Sequence, residues 1–273
     1  MSDKRVNVNQ TDLKYRRTAL MAAALRGNIV TAELLLSDKR VDVNLCGDTG
    51  FTALMIAAFY GHTKIVELLL KDERVYVNQS GKARNTTLML DAIRNHIKVL
   101  ELLFSDKRMS VSQLDQDGHT ALMLAAIGGH TKVVELLLRD KKVNVNQQSE
   151  RAGNTALMLA TIYEHTKVVE QLLNDQRVEV NQRNNFGQSA LKIAVSMEHA
   201  AVVQLLLNDK RVNLNSSTLA IPTHHSDLAL SFPSYEADNM SRSLSSPPRP
   251  PSPTPRPLLL GQSTGWACAR RCT

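Results

Sequence analysis

Residues 120–146 read TALMLAAIGGHTKVVELLLRDKKVNVN, and this stretch decides the fold. Leu122, Ala125 and Ala126 stand three and four residues apart, and Val133, Val134, Leu137 and Leu138 repeat that spacing, so each half is a short amphipathic helix. Gly129 lies between the helices, where a chain reversal needs a residue tolerant of positive φ. Thr120 precedes the first helix as its N-cap. The product is a helix hairpin whose alanines are small enough to let a neighbouring helix approach closely.

Outward from there, the pattern returns at Thr18, Thr52, Thr86, Thr120, Thr155 and Ser189, in steps of 34, 34, 34, 35 and 34 residues. Six units result, with bounds near 15–44, 45–78, 79–112, 113–146, 147–181 and 182–215. The Leu and Val rows of one unit have nothing to cover them except the next unit, so the units must stack into a solenoid. Residues 3–9, DKRVNVN, match the close of a unit, so residues 1–14 read as the end of a truncated repeat.

Over residues 3–215 the unit resembles the ankyrin repeat, which is about 33 residues long and carries a T-P-L-H-x-A signature. The resemblance implies an all-α solenoid of helix-turn-helix units joined by β-hairpin-like loops. Two departures are systematic. Ala and Met replace the Pro and His of the signature in most units, which removes the hydrogen bond the family makes through that His. Each unit also has one extra residue after its second helix, where Asp-Lys-Arg-Val stands in place of Gly-Ala, so a longer turn without a glycine cap is expected. His62, His96, His130, His165 and His199 recur once per unit; the resemblance makes them structural hydrogen-bonding residues, and a spacing of about 10 Å is too wide for them to share a metal ion. In the third unit Asp91 stands where Ala57 and Ala125 stand in others. Arg94, three residues on, is its expected partner.

Composition divides the chain in two. All nine prolines lie at or beyond Pro222, so residues 216–273 are expected to form a disordered Ser/Pro-rich tail with polyproline II character. Ser246, Ser252 and Thr254 each precede a proline and are candidate phosphorylation sites. The P-x-x-P spacing there makes the tail a candidate for SH3-type contact, although neither Arg249 nor Arg256 stands at the flanking position such ligands use. The three cysteines, Cys46, Cys268 and Cys272, are too scattered for a disulfide scaffold.

The formal charge of +7 is spread out: residues 1–215 hold 28 Lys and Arg against 23 Asp and Glu, largely in mixed clusters, so nucleic-acid binding is not expected. No apolar run is long enough for a membrane span and the N-terminus has no secretory leader, which points to cytoplasm or nucleus. No phosphate-binding loop, nucleophile elbow or metal-ligand spacing occurs, so no enzyme activity, cofactor or metal is expected. The resemblance implies a protein partner, held at the hairpin tips and on the exposed face of the first helices. The residues expected to bind it are Phe51, Phe59, Tyr60, Arg84, Arg94, His119, Arg151, Tyr163 and Phe186. The expected function is a non-enzymatic adaptor or scaffold with its partner on the concave face; the alternative is a regulatory ankyrin portion of a larger enzyme or channel.

Overall fold

A threonine or serine starts the first helix of every unit. In this computed structural model, which describes residues 6–214, Thr18 Oγ1 accepts the amide N–H of Met21 at 3.2 Å, Thr52 that of Met55 at 3.3 Å and Thr120 that of Met123 at 3.3 Å. Such caps satisfy amides the helix itself leaves open. The six helix pairs are α1 (Ala19–Arg26) with α2 (Ile29–Ser37), α3 (Ala53–Phe59) with α4 (Thr63–Lys71), and α5 (Thr87–Arg94) with α6 (Ile97–Ser105). They continue as α7 (Ala121–Ile127) with α8 (Thr131–Arg139), α9 (Ala156–Ile162) with α10 (Thr166–Asn174), and α11 (Ala190–Ser196) with α12 (Ala200–Asn208).

The first helices stack on one another in chain order, and so do the second helices. Ala57, Ala125 and Ala160 are fully buried between the inner helices, and Val133, Val134 and Leu137 between the layers. Burying a side chain of this size contributes about 1.5–3 kcal/mol, which makes the apolar stripe the main cement of the stack. The methionines that replace the signature His, Met21, Met55, Met89, Met123 and Met158, lie in the same interior.

The histidine expectation can be read directly from the bonds. His130 Nε2 donates to the Ile93 carbonyl at 2.8 Å and His165 Nε2 to the Ile127 carbonyl at 2.8 Å. His62, His96 and His199 reach Leu25, Ala58 and Thr161 in the same way. Each ring thereby ties its own unit to the C-terminal end of the preceding inner helix.

The hairpin tips form a second row of ties. Each closes on itself, as in Gly47 N–H to Phe51 O and Asp115 N–H to His119 O, and each donates one backbone bond to the tip before it, as in Gln116 to Ala83 and Glu150 to Asp117.

The turn after the second helix shows what the extra residue achieves. Arg74 grips Asp72 of its own unit at 2.6 Å and reaches back to the carbonyls of Leu36 at 3.1 Å and Val41 at 3.0 Å. Arg108, Arg177 and Arg211 do the same toward Leu70, Leu138 and Leu173. The guanidinium therefore caps the outer helix of the preceding unit, replacing the missing glycine cap. It also holds the carboxyls of Asp72, Asp106, Asp175 and Asp209 below the usual range. An asparagine reaches the other way: Asn44 Nδ2 donates to Arg74 O and its Oδ1 accepts from Tyr76 N–H, a pairing repeated by Asn78, Asn146 and Asn181. The junction of units 3 and 4 has Ser112 and Lys142 at these two positions, and neither bonds across it.

The expected Asp91–Arg94 pair is corrected. Asp91 points into the stack and is fully buried, whereas Arg94 turns outward and lies 4.3 Å above the Phe59 ring. The nearest ionisable neighbour of Asp91 is His96, with Nδ1 3.5 Å from Oδ1 but bonded to Ala58 O at 3.0 Å. Both carboxylate oxygens lack hydrogen bonds. Burial pushes the Asp91 carboxyl up to about 6, with His96 pulling against it.

Candidate protein-binding face

The residue at or just past the end of each inner helix is the register position that stacking leaves at the surface. In units 1 to 6 it is Arg26, Tyr60, Arg94, Gly128, Tyr163 and Met197. Adjacent helix axes lie about 10 Å apart, so these residues form one column along the inner face.

Tyr60 and Tyr163 occupy equivalent places in different surroundings. Each ring stacks on its own unit's histidine, at centroid distances of 6.2 and 6.3 Å. Burial raises both phenols above their ordinary range, but Tyr60 also feels the opposing positive charges of Arg17 and Arg94, whereas burial alone acts on Tyr163. Arg17 in turn lies 4.1 Å from the Tyr15 ring, so arginine and tyrosine alternate across the first three units.

Charge is divided along the face. The tips and inner helices of units 1 to 3 carry Lys14, Arg16, Arg17, Arg26, Lys82, Arg84 and Arg94 against only Asp12 and Asp48, buried Asp91 aside. The same segments of units 4 to 6 carry Arg151, Arg183 and Lys192 against Asp117, Glu150, Glu164 and Glu198, buried Asp115 aside.

Backbone strain follows this division. Arg16 and Arg84 hold φ of 50° and 57° at the tip position where Gly50, Gly118, Gly153 and Gly187 stand in the other units. Glu164 and Glu198 hold 55° and 60° in the reversal between helices, where Asn95 holds 61° in unit 3 and Gly27, Gly61 and Gly129 stand in the rest. A long side chain in this left-handed region costs on the order of 1 kcal/mol relative to glycine.

The expected contact residues divide by burial. Tyr60, Arg84, Arg94, Arg151, Tyr163 and Phe186 reach the surface, Phe186 with 53% of its area exposed. Phe51 and Phe59 are 2% exposed and His119 is 6% exposed, which corrects their assignment as contact side chains. Phe51 packs under the neighbouring tip, where a Cβ on Gly81 would lie 3.1 Å from its ring. Phe59 meets Tyr60 edge-on at 5.2 Å from below. His119 is held by Asp115, Nδ1 to Oδ2 at 3.3 Å. Asp115, Asp117 and His119 bring metal-ligand atoms within 4.8 Å of one another. Their partners are internal: Asp115 accepts the amides of Asp117 and His119, and Arg151 Nε lies 2.9 Å from Asp117 Oδ1. The group staples tips together. Ser246, Ser252, Thr254 and the P-x-x-P segment lie outside the described residues.

Arg16 and Arg17 were not singled out as contact residues by sequence. Arg16 had a visible signal, an arginine in a register that four other units fill with glycine.

Comparison with known proteins agrees with this architecture. The family model described as ankyrin repeats matches three times, over residues 2–80, 73–149 and 141–218. The chain belongs to the ankyrin repeat family, whose members are generally protein–protein interaction modules. A search of curated proteins finds no match. Among solved structures, the chain is similar to EF0377, an ankyrin repeat protein: the TM-score is 0.65 at 21% identity, over 70% of this chain and 96% of that one. No helix among the described residues is long and apolar enough to cross a membrane.

Proposed function

We propose that this chain is a non-enzymatic adaptor that holds a protein partner along the inner face, with Tyr60, Arg94 and Tyr163 as anchors and Arg84, Arg151 and Phe186 as tip contacts. The observation that carries this reading is the column of Arg26, Tyr60, Arg94 and Tyr163, an arginine or tyrosine in four of the six units at a position that Gly128 fills in unit 4. Tyrosine and arginine are the residues most often found to dominate interface energy. A partner captured from cells by the full chain and measured by calorimetry tests it. Tyr60→Ala and Tyr163→Ala should each weaken binding by about 1–3 kcal/mol. Lys64→Ala and Lys132→Ala, on exposed outer-helix side chains paired to Glu67 and Glu135, should not. The reverse pattern would put the partner on the outer face.

The second reading, ankyrin units regulating a larger enzyme or channel, draws on a different surface. Val30 and Leu34 on α2 are 75% and 71% exposed, and Val30 stands where α4, α6, α8 and α10 carry lysine. An apolar face of this kind suits a further packed element.

A further inference from the structure

Units 1 and 3 share an arrangement found in no other described unit. Each carries an arginine at its tip and another ten residues later at its helix end: Arg16 with Arg26, and Arg84 with Arg94. Unit 2, between them, has Gly50 at the tip and Tyr60 at the helix end. In register these arginines stand in the units on either side of half-buried Tyr60, whose phenol feels the positive charges of Arg17 and Arg94. The Arg94 guanidinium lies over the Phe59 ring, which fixes its position while the residue stays exposed. The two tip arginines are retained at positive φ although glycine would serve the turn better. Strain kept at exposed side chains that support nothing inside the stack marks a binding surface. The acids near this frame are few: Asp12 Oδ1 accepts the amides of Lys14 and Tyr15, Asp48 is exposed at the second tip, and Glu150 is 3.9 Å from Arg84 in a solvent-exposed contact worth little.

We propose that this half of the face binds an acidic, extended segment of a partner protein, its carboxylates paired with Arg26 and Arg94 and an apolar residue midway between them lying on Tyr60. The proposal rests on the adaptor reading above and adds the partner's chemistry. The spacing sets the register. A polyproline II segment turns once in three residues and rises about 9 Å per turn, nearly the distance of about 10 Å between units. Its first, fourth and seventh residues therefore meet Arg26, Tyr60 and Arg94 in succession. Arginine suits the two ends because its planar fork takes a carboxylate with two parallel hydrogen bonds. Arg16 and Arg84 line the tip side of the same path and add positive field along it.

The probe is a fluorescent proline-rich peptide with glutamate at its first and seventh positions and leucine at its fourth, titrated with the full chain at low salt by anisotropy. The same peptide with lysine at both ends is the control. The glutamate peptide should bind, with affinity falling as salt rises, and the lysine peptide should not. Arg26→Ala and Arg94→Ala should each weaken binding about tenfold. Arg16→Gly combined with Arg84→Gly should weaken it too, yet raise the melting temperature, a combination that damage to the fold cannot produce. Equal binding of the two peptides, unchanged affinity in the arginine variants, or tighter binding of a poly-deoxythymidine competitor would each overturn the proposal. If the peptide fails to bind while Tyr60→Ala and Tyr163→Ala still weaken the captured partner, the acidic segment is wrong and the adaptor reading stands. If those tyrosine variants also have no effect, both fall.

Discussion

The junction between units 3 and 4 packs α5 on α7 and the junction between units 4 and 5 packs α7 on α9 in the same manner, but their outer fastenings differ. At the second, Arg177 caps the Leu138 carbonyl and Asn146 bridges to Arg177 O. At the first, Lys142 and Ser112 replace these residues and no such bond crosses. The tips still join there, through Gln116 to Ala83, and the histidine still bonds, through His130 to Ile93. Stacking is thus set by the apolar inner helices and their backbone ties, and the arginine and asparagine fastenings are increments that one junction does without.

Removing the cement should cost most. Leu137, fully buried in α8, should lose about 2–5 kcal/mol on truncation to alanine, read as a lower urea midpoint, with amide exchange accelerated in units 3 and 5 as well as 4. An effect confined to unit 4 would show that the units do not stabilise one another.

Asp91→Ala should act in the opposite direction, because it restores the alanine that the other five units carry. Between the ordinary carboxylate value near 3.8 and the folded value of about 6, only the folded chain keeps this proton. Wild-type stability from this group is therefore full below pH 4 and is lost as pH rises through 6. The substitution should stabilise the protein by roughly 2–3 kcal/mol at pH 8 and make little difference at pH 4. A pH-independent gain would trace the effect to packing rather than ionisation.

The fastenings come next. Asn146→Ser with Arg177→Lys should make the junction of units 4 and 5 resemble that of 3 and 4, at a cost of about 1–2 kcal/mol. Ser112→Asn with Lys142→Arg should strengthen the latter by a similar amount. Native-state hydrogen exchange at the ends of α6 and α8 reads both. The smallest effect is expected at Lys64: its solvent-exposed pair with Glu67 should contribute nothing measurable, so thermal melts of Lys64→Ala should overlie wild type.

Period and capping were legible in the sequence because both are local: the spacing of Leu, Val and Ala sets the helices, and one threonine starts each. Ankyrin membership followed from the same residues. The arginine fastening was not legible. Asp-Lys-Arg reads as a solvated, self-neutralising cluster, and the carbonyls that Arg74 seeks are main-chain atoms a whole unit away. Phe59 and Tyr60 were taken together as surface, but successive helix residues diverge by about 100°, which turns Phe59 inward and leaves Tyr60 outside. Asp91 was recognised as misplaced while its neighbour was misjudged. Three residues along a helix made Arg94 seem adjacent, whereas the closer group, His96, begins the next helix.

The backward reach of the arginines also orders events during synthesis. The Leu36 carbonyl at the end of α2 is capped by Arg74, which lies 38 residues downstream. As the chain emerges from the ribosome, each outer helix capped in this way (α2, α4, α8 and α10) therefore waits one full unit for its closure. At those junctions the newer unit completes the older one, and the growing solenoid locks behind its leading end by a guanidinium supplied from downstream.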